Sequence, residues 1–406
     1  MIDRSKLLAR YVQELIDKGV IRSTHVEHAF RCVERDRFLR RFYHHNPHQG
    51  GWEQLHHDPE NPDQQLLRLI YSDQALVTLL NEKGMPISST SQPALVAHML
   101  ELLELHPGAR VLEIGTGTGY NAALLSEIVG EQGVVTTLDI REELINQAQQ
   151  IFSSLGYRNI QALCRDGFYG ASEYGPYDRI VATVGCTDIS PHWLEQLAPE
   201  GFMLIPLQHG GLSSHPLVRI WLEKGQIIGR VMGWSGFMPI QGELAWAGKF
   251  WAESPWTTRV PPCVLQGEPV DSRPLPPGLP PTADAPLLQS TTHQAFYFFL
   301  TLNDQRACAT LKGYGLVAPE AAVVITGQQI LLYSQDAKPN EEPYQTTLAL
   351  YHAWQELGSP CWGDYRLQFL PASGAPGQLY KRQGNSWVVT RKWFEQLTQL
   401  SSTVAA

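Results

Sequence analysis

A glycine-rich segment and three acidic residues carry the most evident chemistry in this sequence. The run Glu113-Ile114-Gly115-Thr116-Gly117-Thr118-Gly119-Tyr120-Asn121 follows a short apolar stretch and opens a helical pattern. Glycines permit a tight turn and a close approach of a ligand to the backbone, while amides at a helix N-terminus attract an anionic group. Asp139 and Asp166 end the next two apolar stretches. Ligands bind at the carboxyl ends of parallel strands, so these residues predict a ligand site.

A loop of this kind can hold a dinucleotide, hold S-adenosylmethionine, or only connect two elements. Its glycine spacing, Gly-x-Gly-x-Gly, departs from the Gly-x-Gly-x-x-Gly pattern of dinucleotide sites. The Glu113 carboxylate would repel a pyrophosphate but could receive the ammonium group of S-adenosylmethionine, directly or through water. Asp139 suits two ribose hydroxyls, because a carboxylate only accepts hydrogen bonds, and Asp166 could accept the adenine amino group. The predicted S-adenosylmethionine site comprises Glu113, Gly115, Thr116, Gly117, Gly119, Asn121, Asp139, Ile140, Asp166 and Gly167.

An alternation of strands and helices must position these side chains. Helical patterns cover residues 94–105, 120–129 and 142–155, and short apolar strands are predicted over 110–114, 134–138, 159–164, 177–183 and 202–205. Such alternation is typical of βαβ units in a mostly parallel sheet with helices on both faces. The predicted fold class is therefore α/β, with a Rossmann-like doubly wound sheet. Together with the predicted S-adenosylmethionine site, it is the expected fold of a class I methyltransferase. A hairpin over 217–222 and 226–232 would follow at the sheet edge.

The rest of the chain divides by composition. An N-terminal helical segment is expected over 1–70, with a histidine-rich solvated loop near 44–58 that has no fixed spacing for a metal. The α/β domain is expected over 71–245 and a proline-rich linker over 246–288, because proline fixes φ and removes amide donors. A smaller C-terminal α+β domain of unassigned role is expected over 289–406. Its predicted strands are 296–302, 322–325, 365–370 and 386–390, with helices over 346–357 and at the end.

Charge and cysteine content limit the partners and the location. The formal net charge is -9, which disfavours a nucleic-acid partner. No run of about 18 apolar residues occurs, so no membrane span is expected, and the first ten residues lack the apolar core of a signal peptide. Six scattered cysteines form no Cys-x-x-Cys pair. They predict reduced thiols in the cytoplasm and no metal site.

The order of motifs over roughly 71–207 resembles the protein-L-isoaspartate O-methyltransferase family. The resemblance rests on the run 108–125, on Ser91-Gln92-Pro93 before a helix, on Asp166-Gly167, and on the segments 176–180 and 193–206. It implies methyl transfer from S-adenosylmethionine to a carboxylate of an altered aspartyl residue in a protein or peptide. The ester then promotes closure to a succinimide. A carboxylate is ionised at neutral pH, so catalysis should depend on positioning and exclusion of water rather than on a base.

The resemblance also implies a substrate side. It assigns Ser91 to the substrate carboxylate, since a hydroxyl can donate one hydrogen bond. Thr183, at the end of its strand, would border the methyl-transfer site, so Ser91 and Thr183 are the predicted catalytic residues. The predicted substrate rim comprises Asp73, Ser88, Ser89, Thr90 and Ser91. Alternatively, Ser91 only caps the helix that begins near Pro93.

The chain departs from the family pattern in ways that keep alternatives open. Its Ser88-Ser89-Thr90-Ser91 run differs from the usual shorter threonine/isoleucine-serine sequence. Arg165 replaces the glycine that usually precedes Asp166-Gly167 in the family. It also continues far beyond Leu207, whereas repair enzymes are commonly one domain. Extended chains resemble enzymes that tailor ribosomally made peptides, so the substrate could be a dedicated precursor. A non-catalytic scaffold that binds S-adenosylmethionine is a further hypothesis. A nucleic-acid or small-molecule methyltransferase is disfavoured, because no aromatic-proline tetrapeptide follows Ile180.

Overall fold

The chain folds as two units. The computed structural model describes residues 4–46, 51–209, 215–245, 265, 268–281, 292–304, 306–309, 313–318, 320–336, 338–372, 380–383 and 386–401. The first unit comprises Met1–Val184, Ser190–Ile205 and Met238–Leu244. The second comprises Gly185–Ile189, Pro206–Phe237 and Ala245–Ala406. The predicted N-terminal segment over 1–70 therefore belongs to the same unit as the glycine-rich run.

The first unit begins with three helices and a small antiparallel sheet. The helices are α1 (Arg4–Asp17), α2 (Thr24–Cys32) and α3 (Gln64–Ile70). The strands are β1 (Arg41–Asn46), β2 (Gly51–His56), β3 (Leu76–Leu80) and β4 (Pro86–Thr90), in the order β2-β1-β3-β4.

The prediction of a solvated histidine-rich loop in an otherwise helical segment was wrong. β1 and β2 pair with Phe42 opposite Leu55, and Phe42 is completely buried with Leu39, Ile70 and Leu76. Phe42 and Leu55 thus lie on one face of a hairpin, where Phe42 is buried and Leu55 packs against the same cluster. The polar composition of the segment hid this alternation.

A parallel sheet forms the centre of the first unit. Its elements are α4 (Pro93–Leu102), β5 (Arg110–Ile114), α5 (Tyr120–Val129), β6 (Val134–Asp139), α6 (Glu142–Leu155), β7 (Ile160–Cys164), β8 (Tyr177–Ala182), α7 (Pro191–Glu195) and β9 (Leu197–Pro206). The strand order is β9-β8-β5-β6-β7, and each pair is parallel. In β5 every residue after Arg110 is buried, as expected for a central strand covered on both faces. The predicted α/β fold is confirmed.

The second unit contains two antiparallel arrangements of strands. The hairpin β10 (His215–Glu223) and β11 (Gln226–Ser235) was predicted, but its predicted place at a sheet edge was wrong. β11 also pairs with the distant residues 366–369, a partner that the local pattern does not reveal. With β17 (Tyr365–Pro371), β18 (Tyr380–Gln383), β19 (Ser386–Thr390) and β20 (Phe394–Leu400) the hairpin has the order β18-β19-β20-β17-β11-β10. A five-stranded sheet, β12-β16-β15-β14-β13, is built from β12 (Asp271–Pro274), β13 (Ala307–Ala309), β14 (Tyr314–Val317), β15 (Ala321–Ile325) and β16 (Gln329–Ser334). Helices α8 (Thr292–Asn303) and α9 (Glu342–Glu356) complete it.

Two elements of the second unit were predicted wrongly. The expected strand over 296–302 belongs to helix α8, in which all residues from Gln294 to Leu302 are buried. A helix buried on every side shows no polar face, so its aromatic run is indistinguishable from a buried strand. The expected final helix is strand β20, whose inward residues include the completely buried Gln396 and Thr398. Polar residues on the buried face concealed its alternation.

Part of the predicted proline-rich linker is also a strand. β12 pairs with β16 from Asp271–Leu332 to Pro274–Gln329 and lies at the edge of its sheet. An edge strand tolerates proline, because one side of its ladder needs no donor. Most of the predicted linker, over 246–264 and 282–288, lies outside the described residues. Among the helices that the structure does describe, none is both long enough and apolar enough to cross a membrane.

Candidate cofactor and substrate site

The glycine turn between β5 and α5 has a backbone that glycine adopts best. Gly119 precedes α5 with φ +83°, and a Cβ atom there would lie 2.7 Å from Cζ of Phe152 on α6. Gly115 has φ +104°, and its Cβ would lie 2.8 Å from Oγ1 of Thr183. Larger residues would meet both a strained backbone and a steric overlap. The turn therefore packs closely against α6 and the end of β8.

We expect Gly119→Ala to lower the free energy of unfolding by about 2–4 kcal/mol, from the positive φ together with the overlap against Phe152. Gly156→Ala is a matched control, because Gly156 has the same φ of +83° and nothing within 4 Å of its Cβ position. Gly156→Ala should lower the free energy of unfolding by only about 1–2 kcal/mol. Hydrogen exchange at amides of α5 and α6 measures both losses within the first unit. Equal losses would show that the contact with α6 contributes nothing.

Glu113 lies on β5 and is completely buried. Its carboxylate accepts hydrogen bonds from Nδ2 of Asn121 and from Oγ1 of Thr137, each at 2.7 Å. Since the Thr137 proton is used in this way, Oγ1 of Thr116 donates to Thr137 at 2.7 Å. Burial raises the pKa of Glu113 to about 7, against the effect of its two hydrogen-bond donors. The predicted residues Glu113, Thr116 and Asn121 therefore form one buried network beneath the turn.

Asp139 ends β6 beside the glycine turn. Its Oδ2 accepts a hydrogen bond from the amide of Gly117 at 3.1 Å, and its Oδ1 accepts one from the amide of Arg141 at 3.1 Å. Burial raises the pKa of the Asp139 carboxyl, although these amide hydrogen bonds lower it. The next residue, Ile140, is a large apolar side chain that is 43% exposed. An acceptor for hydroxyls and an uncovered apolar surface thus lie side by side, as an adenosine requires.

Asp166 follows β7 and contacts a segment that the sequence did not associate with the site. Its Oδ1 accepts from the amide of Phe168 at 2.9 Å, and its Oδ2 accepts from the amide of Glu243 at 2.8 Å. A Cβ on Gly242, whose φ is +79°, would lie 2.1 Å from Asp166. Each carboxylate oxygen has two lone pairs, so an adenine amino group can still be accepted. Gly167 lies against β5, where its Cβ would be 2.5 Å from Ile114.

Strand β4 brings part of the predicted substrate rim to the glycine turn. Ser88 and Thr90 are buried, and Oγ of Ser88 accepts a hydrogen bond from Thr78 at 3.0 Å. Ser89 is only half-buried, and its carbonyl oxygen lies 3.5 Å from the position of a Cβ on Gly117. Ser91 follows the strand and is also only half-buried.

The structure separates the roles that the sequence left open at the start of α4. Oδ1 of Asp73 accepts from the amide of Ala94 at 2.9 Å, and Oδ2 pairs with Nζ of Lys18 at 2.7 Å. Asp73, rather than Ser91, therefore caps α4. Among the residues that the structure describes, no hydrogen bond engages the Ser91 hydroxyl, which leaves it available to a ligand. Contact of Asp73 or Ser91 with substrate stays a prediction.

Arg35 is a residue of this rim that sequence reasoning missed. Its guanidinium is completely buried and donates to four backbone carbonyls. Nη1 bonds Ile70 at 2.7 Å and Ser72 at 3.1 Å, while Nη2 bonds Gln74 at 2.9 Å and Ser91 at 3.0 Å. One side chain thus joins the end of α3 to the segment that carries Ser91. Nothing in its local sequence signals this role, because all four partners are distant backbone groups.

Thr183 follows β8 and contacts the glycine turn. Its Oγ1 lies 2.7 Å from the carbonyl of Gly115, to which it donates. The hydroxyl proton is therefore used inside the protein, and only acceptor capacity remains for a ligand. The structure brings Thr183 to the turn as predicted, whereas its part in catalysis stays a prediction.

These features define a class of protein. A parallel sheet in the order β9-β8-β5-β6-β7, with a glycine turn after β5 and carboxylates after β6 and β7, is the class I methyltransferase fold. The family described as protein-L-isoaspartate (D-aspartate) O-methyltransferase matches residues 6–244. This chain belongs to that family, and the resemblance predicted from its motifs is confirmed. The match includes most of α1 together with α2, α3, β1 and β2, which lie outside the predicted region of resemblance.

Curated relatives named protein-L-isoaspartate O-methyltransferase agree with this membership. The relative from Thermotoga maritima is 35% identical over 185 residues, which cover 46% of this chain and 51% of the relative. The alignment thus spans about half of that relative's length. The relative from Methanococcus maripaludis is 34% identical over 233 residues, 57% of this chain and 94% of the relative. A solved structure of the same name has 23% identity and a TM-score of 0.50, and covers 90% of this chain and 96% of that one. That last likeness concerns the fold.

Proposed function

We propose that this protein is an S-adenosylmethionine-dependent carboxyl O-methyltransferase that acts on aspartyl or isoaspartyl residues of a protein or peptide. The observation that carries the proposal is the approach of β4 to the glycine turn, with the Ser89 carbonyl 3.5 Å from the Cβ position of Gly117. This approach supports a substrate side next to the proposed cofactor site, because Ser91 directly follows β4. Family membership supports the same reaction.

The residues fit the chemistry that the reaction needs. When bound, S-adenosylmethionine supplies a methyl group on a sulfonium cation. The substrate carboxylate oxygen forms the new bond to that methyl, the carbon–sulfur bond breaks, and the electron pair stays on sulfur, so no proton moves. In this proposal Asp139 accepts the ribose hydroxyls, and the buried charge of Glu113 favours the cation. Ser91 donates to the substrate carboxylate and orients it. The resulting ester promotes closure to a succinimide.

The pKa of Glu113 predicts a pH dependence of cofactor binding. Below about pH 7 the carboxyl is mostly protonated, and binding of a cation must displace that proton. The dissociation constant for S-adenosylmethionine should therefore fall as pH rises from 6 to 7, by up to ~10-fold per unit, and level off above. Titration calorimetry across this range measures it. In Glu113→Gln the dissociation constant should keep only the pH dependence that comes from the ammonium group of the ligand itself. If the wild-type chain and Glu113→Gln show the same pH dependence, Glu113 does not cause it.

Ser91→Ala tests the substrate side. Loss of one hydrogen bond to a charged group costs about 1.5–3 kcal/mol, so kcat/KM for an isoaspartyl peptide should fall about 10- to 150-fold. The dissociation constant for S-adenosylmethionine should not change. Ser154→Ala is a matched control, because Ser154 is exposed on α6 and its hydroxyl donates to the carbonyl of Ile151 in the same helix. A Ser91→Ala enzyme with unaltered kcat/KM would remove Ser91 from the substrate site.

A single assay separates the forms of the proposal. The full chain is incubated with labelled S-adenosylmethionine and three peptides, which contain an isoaspartyl residue, a normal aspartyl residue, or an aspartyl residue in a constrained ring. Base-labile methyl ester on the isoaspartyl peptide supports a repair enzyme. Ester on the constrained peptide alone supports tailoring of a dedicated peptide. Cofactor binding without ester on any peptide contradicts the enzyme and supports a scaffold.

We also propose a cytoplasmic location. The five cysteines that the structure describes, Cys32, Cys164, Cys186, Cys308 and Cys361, are all free thiols. Free thiols of this number are typical of a reducing compartment.

A further inference from the structure

Helices α2 and α5 of the first unit pack against each other and bring three potential metal ligands together. His28 and Cys32 are four residues apart on α2, so they lie on the same face of the helix. Glu127 reaches them from α5. The ligand atoms of all three side chains lie within 4.8 Å of one another, and Sγ of Cys32 lies 3.4 Å from Nε2 of His28.

We propose that His28, Cys32 and Glu127 bind a divalent transition-metal ion of the zinc class. Imidazole, thiolate and carboxylate are the three protein ligand types that zinc uses, and together they select zinc over calcium or magnesium. Metal–ligand bonds of about 2.0–2.3 Å place tetrahedral ligand atoms roughly 3.5 Å apart. The present separations need only small rotations of side chains that are partly or largely exposed. Three protein ligands leave the fourth position to water.

The surroundings of the cluster support a cation. Burial and the Glu127 carboxylate raise the pKa of the Tyr157 hydroxyl, so this hydroxyl lies near the cluster, where outer partners commonly orient a metal ligand. A metal ion held by all three side chains would link the two helices.

The site is separate from the proposed reaction. Glu127 lies seven residues after Tyr120, the first residue of α5, so it is about 10 Å along the helix from the glycine turn. The expected effect of the metal is therefore on stability rather than on methyl transfer. The sequence alone predicted no metal because its ligands come from two helices almost one hundred residues apart and form no Cys-x-x-Cys pair.

Cobalt(II) added to the metal-free full chain tests the proposal, because a cobalt–thiolate bond gives a charge-transfer absorption band. We expect the band to saturate at one equivalent and to disappear when zinc is added. Cys32→Ser should abolish the band, whereas Cys164→Ser should keep it, since Cys164 is an exposed free cysteine outside the cluster. Tyr157→Phe should keep the band but weaken binding about 10- to 100-fold.

Thermal unfolding provides a second readout. Zinc should raise the Tm of the wild-type chain and of Cys164→Ser, but not of Cys32→Ser, because a ligand stabilises only the state that binds it. No thiolate band at any cobalt concentration would overturn the proposal. So would a band that survives Cys32→Ser, which would indicate binding by other surface groups.

Discussion

Arg35→Ala should destabilise the first unit by at least ~3 kcal/mol, because the substitution leaves four carbonyls near a buried cavity without their charged donor. An unsatisfied buried acceptor costs about 1–3 kcal/mol, and partial entry of water limits the sum. Hydrogen exchange at amides of β4 and α4 measures the loss within this unit, where a single unfolding curve of a two-unit chain would not.

Arg10→Ala is the matched control for this substitution. Arg10 is exposed, and among the described residues it pairs with Glu14 alone, so its loss should change stability by at most ~0.5 kcal/mol. The loss of stability in Arg35→Lys should lie between those of Arg35→Ala and Arg10→Ala, because one ammonium cannot reach all four carbonyls. If Arg35→Ala and Arg10→Ala behave alike, the guanidinium does not hold the rim. Arg35→Ala should also lower kcat/KM for an isoaspartyl peptide, because the Ser91 carbonyl loses its hydrogen bond from Arg35.

Asp139→Ala should weaken binding of S-adenosylmethionine at least 10-fold. Each hydrogen bond from a ribose hydroxyl to the carboxylate contributes about 1.5–3 kcal/mol. The substitution also removes the acceptor that holds the Gly117 amide at 3.1 Å, so the glycine turn loses a restraint. Asp139→Asn should be milder, because an amide keeps one acceptor oxygen. Titration calorimetry gives the dissociation constants directly.

Glu143→Ala controls for the loss of one negative charge. Glu143 is exposed in the first turn of α6, four residues beyond Asp139. Its replacement should leave cofactor affinity unchanged within about twofold, because solvent screens the charge. A similar weakening in both variants would mean that Asp139 acts through general electrostatics rather than by direct contact.

The residues around the proposed cofactor were predictable because their chemistry is local. The strand, the glycines and the helix of residues 110–129 are contiguous, and a parallel sheet brings the ends of its strands to one edge. Asp139 therefore lies by Gly117 as the sequence pattern implied. The contact of Glu243 with Asp166 was not predictable, because it joins positions 77 residues apart. Its donor is a backbone amide, which almost every residue type has.

The elements predicted wrongly are those in which polar and apolar residues do not alternate with the period of the structure that they form. Helix α8 is apolar on all sides and so lacks a period. β20 buries Gln396, which hydrogen-bonds His209 and Arg391 inside the second unit. A sequence pattern reports which residues avoid water, whereas a buried polar residue depends on partners that only the folded chain supplies.

The sequence by itself determined the α/β class of the first unit, the glycine turn, the acidic strand ends and the family. These follow from periodicity and from spacing within short segments. Only the tertiary structure decided that Asp73 caps α4, that Arg35 holds the backbone of Ser91, and that His28, Cys32 and Glu127 meet. Each of these contacts joins distant parts of the chain through geometry that hydrophobic burial sets, and local residue patterns do not encode such geometry.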